Sequence, residues 1–235
     1  MAGRPYVLLS AAMSADGYID DAEGHGVQLS DEADWDRVDE LRAASDAIMV
    51  GARTIRADNP RLLVKSPARQ QRRVAAGLLP HPRRVTVTGT GDLDPKARFF
   101  AAEPVPPLVY APEAVTARIT GAFSGVAVVV ATPALSSQPA PSSQSALSGR
   151  VDLAWLLADL GARGVGRLMV EGGATVLGQF LAAGLADELL LAVAPVFVAD
   201  TRAPRLLAAG APARRMRLAG LSQAGDMAVL RYLPG

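Results

Sequence analysis

The sequence predicts an α/β protein on a mostly parallel sheet with an antiparallel edge. Three observations carry this. Short apolar runs bounded by turn residues recur along the 235 residues. Most of these runs are continuous rather than alternating, as strands covered on both faces require. Helical patterns fall between them, the alternation that builds parallel sheets.

The elements follow in order. Tyr6–Ala12 is the first strand. Asp31–Ser45 reads as a helix behind a Ser30 N-cap candidate, with acids in its first turn and Trp35, Val38 and Leu41 along one stripe. Ala47–Val50, Arg84–Thr88, Leu108–Tyr110 and Val126–Ala131 are further strands. Ser136–Arg150 is rich in Ser, Pro and Gln, has little to bury, and predicts a mobile loop within a single domain covering residues 1–235. Val151–Ala162 carries Leu153, Trp155, Leu156, Leu157 and Leu160 and reads as a helix ended by Gly161 or Gly164. Arg167–Val170 is a strand, and Thr175–Ala183 a helix closed by Gly184. Glu188–Val198 and Met227–Leu233 follow without a clear helix between them, which places the antiparallel edge there.

Composition removes several function classes. Twenty-four basic against 23 acidic residues give a formal charge of +1, without the basic surplus of a dedicated nucleic-acid binder. The absence of cysteine excludes a thiol nucleophile, an iron–sulfur cluster, a zinc ribbon and a disulfide framework. It equally excludes the zinc nucleobase deaminases, whose metal needs thiolates. His25 and His81 lie far apart in loops without ligand spacing, so no metal site is expected. The longest apolar stretch, Leu189–Ala199, has 11 residues and contains Pro195, too short for a bilayer. The N-terminus imitates a signal peptide only weakly, and a soluble cytoplasmic protein is expected.

Two segments could carry chemistry. In Leu168–Leu177 a buried strand ends in the carboxylate of Glu171, Gly172 and Gly173 follow, and a helix begins at once. Unsatisfied N–H groups at a helix start favour an anion, and glycines let a pyrophosphate approach the main chain. A tight turn with Glu171 merely complementing the dipole fits the local pattern equally well. In Val50–Leu62, Asp58 could hold a ribose hydroxyl and an arginine could fork onto phosphate, although a solvated helix ended by Asn59-Pro60 is the simpler reading. From Arg53 to Arg84 there are nine basic residues and one acid, Asp58. That suits a phosphorylated ligand, with a solvated arginine-rich loop as the simpler account. No aromatic residue interleaves with Arg69, Arg72 and Arg73 to stack bases. Serine hydrolase chemistry has no support: there is no GxSxG and no histidine beside Ser10, Ser14 or Ser30.

These residues, taken in order, resemble the reductase domain of riboflavin biosynthesis, a relative of dihydrofolate reductase. The segments that carry the likeness are Arg4–Val7 through Ala12–Gly17, Leu41–Gly51, Thr54–Leu62, Val170–Gly173 and Gly184–Leu191 with Ala194-Pro195. The resemblance implies a dihydrofolate reductase-like three-layer α/β/α fold and a homodimer that uses NADPH. It implies reduction of the ribosyl group of a ribosylaminopyrimidine 5′-phosphate to the ribityl form. It places Ala12, Thr54, Asp58 and the turn from Gly173 to Gln179, with Gly172, on the cofactor; within that turn Ala174, Thr175, Val176 and Leu177 open the helix. It places Arg42, Leu62, Lys65 and Glu171 on the substrate. Asp16 and Glu171 are the side chains available as proton donors, with bulk water the third source. Two positions depart from relatives fused to a deaminase: Ser10 replaces a Lys, and Gly24–Gln28 replaces a Gly-Glu-Ser-x-Trp segment. A dihydrofolate, pterin or related pyrimidine reductase is therefore the alternative, and a non-catalytic nucleotide- or nucleic-acid-binding module the second. The missing cysteines imply a reductase without its zinc deaminase, a stand-alone enzyme.

Overall fold

The computed structural model describes residues 3–23, 26–133, 151–207 and 215–235. The Ser/Pro-rich stretch 136–150, expected to be a mobile loop, lies outside the described residues, as does His25. The first elements are β1 (Tyr6–Ser14), α1 (Glu32–Ala43), β2 (Ala47–Gly51), α2 (Ala52–Asp58), α3 (Pro67–Ala75), β3 (Arg83–Val87), β4 (Leu108–Pro112) and α4 (Glu113–Ile119). They are followed by β5 (Val128–Thr132), α5 (Leu153–Ala162), β6 (Arg167–Gly172), α6 (Ala174–Ala183), β7 (Glu188–Ala194), β8 (Met216–Ala224) and β9 (Met227–Pro234). The chain falls into two compact units. One comprises Met1–Pro5, Asp46–Leu62 and Arg83–Gly166, the other Tyr6–Ser45, Leu63–Pro82 and Arg167–Gly235.

In the first unit β2, β3, β4 and β5 pair in that order, all parallel. One sheet face buries Ile48, Val50, Val109 and Ala111 against Ile55, Leu62, Phe99, Phe100 and Phe123. Phe100 meets Phe99 and Phe123 edge-on, both at 4.9 Å between centroids. Arg84 is buried and satisfied by the carbonyls of Phe99 and Ala101. The Tyr110 hydroxyl donates to Asp159 Oδ2 at 2.6 Å and ties β4 to α5.

One polar group in this core lacks a partner. Val50, Thr86 and Val109 are in register on neighbouring strands, so Thr86 points into the apolar cluster that Val50 and Val109 join. Thr86 is fully buried, and its Oγ1 has no hydrogen bond among the described residues. Valine keeps the shape and removes the desolvated hydroxyl. Thr86→Val is expected to stabilise the protein by about 1 kcal/mol, a rise of roughly 2–4 °C in Tm. A lowered Tm in a thermal melt would contradict this.

In the second unit β6, β1 and β7 are parallel, and antiparallel pairing is confined to β7–β9–β8. The expected edge is present, with two differences. β7 stops at Ala194, before Pro195, which has no N–H for a ladder bond. β8 forms the outer strand beyond β9; its residues are half-buried or exposed throughout, so no apolar period marked it in the sequence.

Helix α1 departs from its expected reading. Its N-cap is Asp31, whose carboxylate accepts from Asp34 N at 2.8 Å, while Ser30 Oγ donates to Asp34 Oδ2. Its buried residues are Asp34, Asp39, Arg42 and Ala43, and Trp35, expected on the apolar stripe, is 48% exposed. The polar face is the packed one. Opposite it lies α3, where the sequence suggested a solvated loop. Ser66 caps α3 and Pro67 occupies its first turn. Arg69 bonds to Asp36, Asp39 and Glu40, and Arg72 to Glu40. Arg73 is buried and donates to the carbonyls of Ala43, Ser45 and Leu79. The acidic block of α1 and part of the basic stretch neutralise one another.

Candidate functional site

In the second unit β6 delivers Glu171, then Gly172 at φ +126, a conformation that only glycine adopts readily. The Gly172–Gly173 peptide is cis. Gly173 is the N-cap of α6 without a side-chain capping bond, and its carbonyl accepts from Val176 N and Leu177 N at 2.9 and 3.1 Å. The amides of Ala174 and Thr175 precede any intrahelical bond and could receive an anion. No acidic residue stands in this first turn to compete. Val176 and Leu177 are buried and anchor the helix, so what they offer a ligand is main chain; Thr175 is exposed. Ala12, on β1 opposite Ala192, packs against the small cluster of Ala192, Ala194, Met227 and Val229.

Glu171 is engaged on both oxygens. Arg42 Nε and Nη2 donate to Oε1 and Oε2 at 2.7 and 2.6 Å, a bidentate pair with side chains 10% and 13% exposed. Burial acts to lower the Arg42 pKa, but the facing carboxylate outweighs it and holds it above its ordinary value. Arg42 Nη1 also reaches Leu63 O at 3.4 Å. One turn along α1, buried Asp39 accepts from Lys65 N at 2.5 Å and Ser66 N at 3.1 Å. Burial raises the Asp39 pKa, yet these amides and Arg69 together keep it below the usual carboxylate range. Asp39 is not marked in the sequence, because it sits within a run of acids from Asp31 to Glu40. Its spacing of three from Arg42 was the available signal.

Asp16 accepts from Ser14 Oγ at 2.5 Å, and from Val198 N and Ala199 N at 3.2 and 2.8 Å. The Ser14 hydroxyl, more than the two amides, holds its carboxyl below the ordinary value. It is an ionised acceptor at neutral pH, fastening residues 198–199 to the end of β1. The remaining predicted residues belong to the first unit. Thr54 is half-buried on α2, and Asp58, its last residue, is exposed. Asn59 follows as a left-handed C-cap, its Oδ1 accepting from Arg98 N at 2.7 Å. Leu62 takes φ +52 and buries its side chain in the core. Among the described residues no group of three or more His, Asp or Glu side chains could hold a metal ion. No described helix is long and apolar enough to cross a membrane.

A glycine turn at the carboxyl end of a parallel strand, opening a helix, stands where open α/β sheets generally bind their ligands. The chain belongs to the RibD C-terminal domain family, whose model matches residues 5–230. A 2,5-diamino-6-ribosylamino-4(3H)-pyrimidinone 5′-phosphate reductase of Archaeoglobus fulgidus is 34% identical over 225 residues, 95% of each chain. The protein of the same name from Methanothermobacter thermautotrophicus is 37% identical over 204 residues, 87% of this chain and 84% of that one. Among solved structures, a pyrimidine reductase-like protein of Corynebacterium diphtheriae superposes with a TM-score of 0.77 at 24% identity, over 97% of this chain and 91% of that one. A dihydrofolate reductase of Enterococcus faecalis superposes at 0.51 with 12% identity, over 97% and 95%. The fold is dihydrofolate reductase-like.

Proposed function

We propose that this chain is an oxidoreductase of riboflavin biosynthesis that reduces the ribosyl group of 2,5-diamino-6-ribosylamino-4(3H)-pyrimidinone 5′-phosphate to its ribityl form, with NADPH as reductant. The observation that carries the reading is the 34% identity over 95% of both chains with a reductase of that name. Residues 1–235 are read as a single reductase domain, which the family match over residues 5–230, running through both units, supports. The working form is a cytoplasmic homodimer.

The first turn of α6 suits the pyrophosphate of a dinucleotide: free amides, no acid, and two residues without side chains before it. Gly172, Gly173, Ala174, Thr175, Val176 and Leu177, with Ala12, Thr54 and Asp58, would hold the cofactor. A reduced nicotinamide supplies a hydride when bound. Arg42, Lys65, Glu171 and the Leu62 main chain contact the substrate. The mutual bond of Arg42 and Glu171 fixes both groups before substrate arrives, so little ordering remains to be done on binding. Neither acidic candidate is a ready proton donor, since Asp16 is ionised and both Glu171 oxygens face the guanidinium. Water supplies the proton.

A substrate panel tests this reading. With NADPH and each of the diaminopyrimidinone phosphate, its deaminated counterpart and dihydrofolate, loss of nicotinamide absorbance is expected with the diamino compound at the highest kcat/KM. Turnover of dihydrofolate with neither pyrimidine would instead establish the pterin alternative.

A further inference from the structure

Helix α1 and the segment after Leu62 run side by side through specific bonds. Leu63 O meets Arg42, and the amides of Lys65 and Ser66 meet Asp39. The Lys65 ammonium lies over the ring of Trp35, 5.2 Å from its centroid. Trp35, Asp39 and Arg42 are spaced four and three residues apart, so they line one side of the helix over about 10 Å. At one end of this row Glu171 leads into the glycine turn; at the other is a lysine seated on a half-exposed tryptophan.

That seat has a chemical consequence. A carboxylate partner would neutralise Lys65 and occupy its N–H groups, whereas an aromatic face holds the ammonium and leaves its donors free. Among the described residues Lys65 makes no ion pair, although acids are close by: Asp36, Asp39 and Glu40 are bound by Arg69. A large apolar side chain 48% exposed at the end of a polar row is otherwise poorly placed.

We propose that Trp35 is a positioning residue that aims the Lys65 ammonium at the substrate's phosphate. This rests on the assignment of Lys65 to the substrate. Asp39 fixes the lysine's main chain and Trp35 its charged end, so the cation is set at a constant distance from the Arg42–Glu171 pair. An elongated molecule with a heterocycle at one end and a phosphate at the other spans such a row.

The test is a double-mutant cycle in the intact protein, with NADPH and the diaminopyrimidinone phosphate. Lys65→Met is expected to raise KM roughly tenfold or more. Trp35→Leu is expected to raise it about two- to fivefold with kcat and Tm little changed, and Trp35→Phe to restore most of the loss. In the Lys65→Met background, Trp35→Leu is expected to add almost nothing. With the dephosphorylated substrate both single effects should disappear. An unchanged KM in Trp35→Leu beside a raised KM in Lys65→Met would overturn the role of Trp35 and leave Lys65 on the substrate. Full additivity in the double variant would do the same. An unchanged KM in Lys65→Met would overturn the assignment of Lys65, and the proposal with it.

Discussion

Arg42→Met is expected to lower the unfolding free energy by about 3–5 kcal/mol and to remove substrate turnover. The stability loss follows from what is left behind. Glu171 is 13% exposed and both its oxygens are held by the guanidinium, so truncation strands a carboxylate in a site that water barely reaches. Leu63 O loses a donor as well. Arg42→Lys keeps the charge without the planar fork and should fall between the two. The pair Arg42→Met with Glu171→Leu separates folding from function. An apolar replacement of a buried ion pair is often neutral, so the double variant should recover most of the stability in urea unfolding. Its turnover should remain absent. A double variant that regains activity would show that the pair serves only the fold.

Gly172→Ala is expected to damage cofactor binding far more than folding. A Cβ there has room, its nearest neighbour being Leu177 Cδ1 at 4.0 Å. The cost is conformational: φ +126 is a region that an L side chain rarely adopts, about 1–3 kcal/mol of strain. Relief of that strain is expected to rotate the residues just before α6 and turn the Ala174 and Thr175 amides away from the anion they would hold. A tenfold or larger rise in the NADPH Kd is the expected scale, with substrate affinity in the absence of cofactor changed much less. Fluorescence titration of the cofactor checks this. Equal weakening of both ligands would contradict a turn dedicated to the cofactor.

Much of the sheet was legible because buried parallel strands such as Ala47–Gly51 and Leu108–Pro112 are apolar over most of their length, and the glycines around α6 mark its two ends. Strand β8 was not, since it buries neither face and carries no period. Helix α3 holds almost no apolar surface; its cap and the ion pairs to α1 define it, and such pairing is visible only once the two helices are side by side. The same contact hid the meaning of α1. Its apolar stripe was taken as the packed side, yet Asp39 and Arg42 are among its buried residues and hold the segment that carries Lys65. The glycine turn before α6 was legible as a turn because backbone geometry is written directly in residue type. The partnership of Arg42 with Glu171 joins residues 129 apart and needed the fold.

The proposed reaction delivers a hydride to the sugar carbon of a phosphorylated aminopyrimidine. The most direct measurement incubates the protein with NADPH carrying deuterium at the transferring nicotinamide position and with the diaminopyrimidinone ribosyl phosphate, then analyses the product by mass spectrometry and NMR. One deuterium is expected, located at C1′ of a ribityl chain and matched one to one by oxidised cofactor. Unlabelled product, label on the heterocycle, or cofactor oxidised without a ribityl product would contradict it.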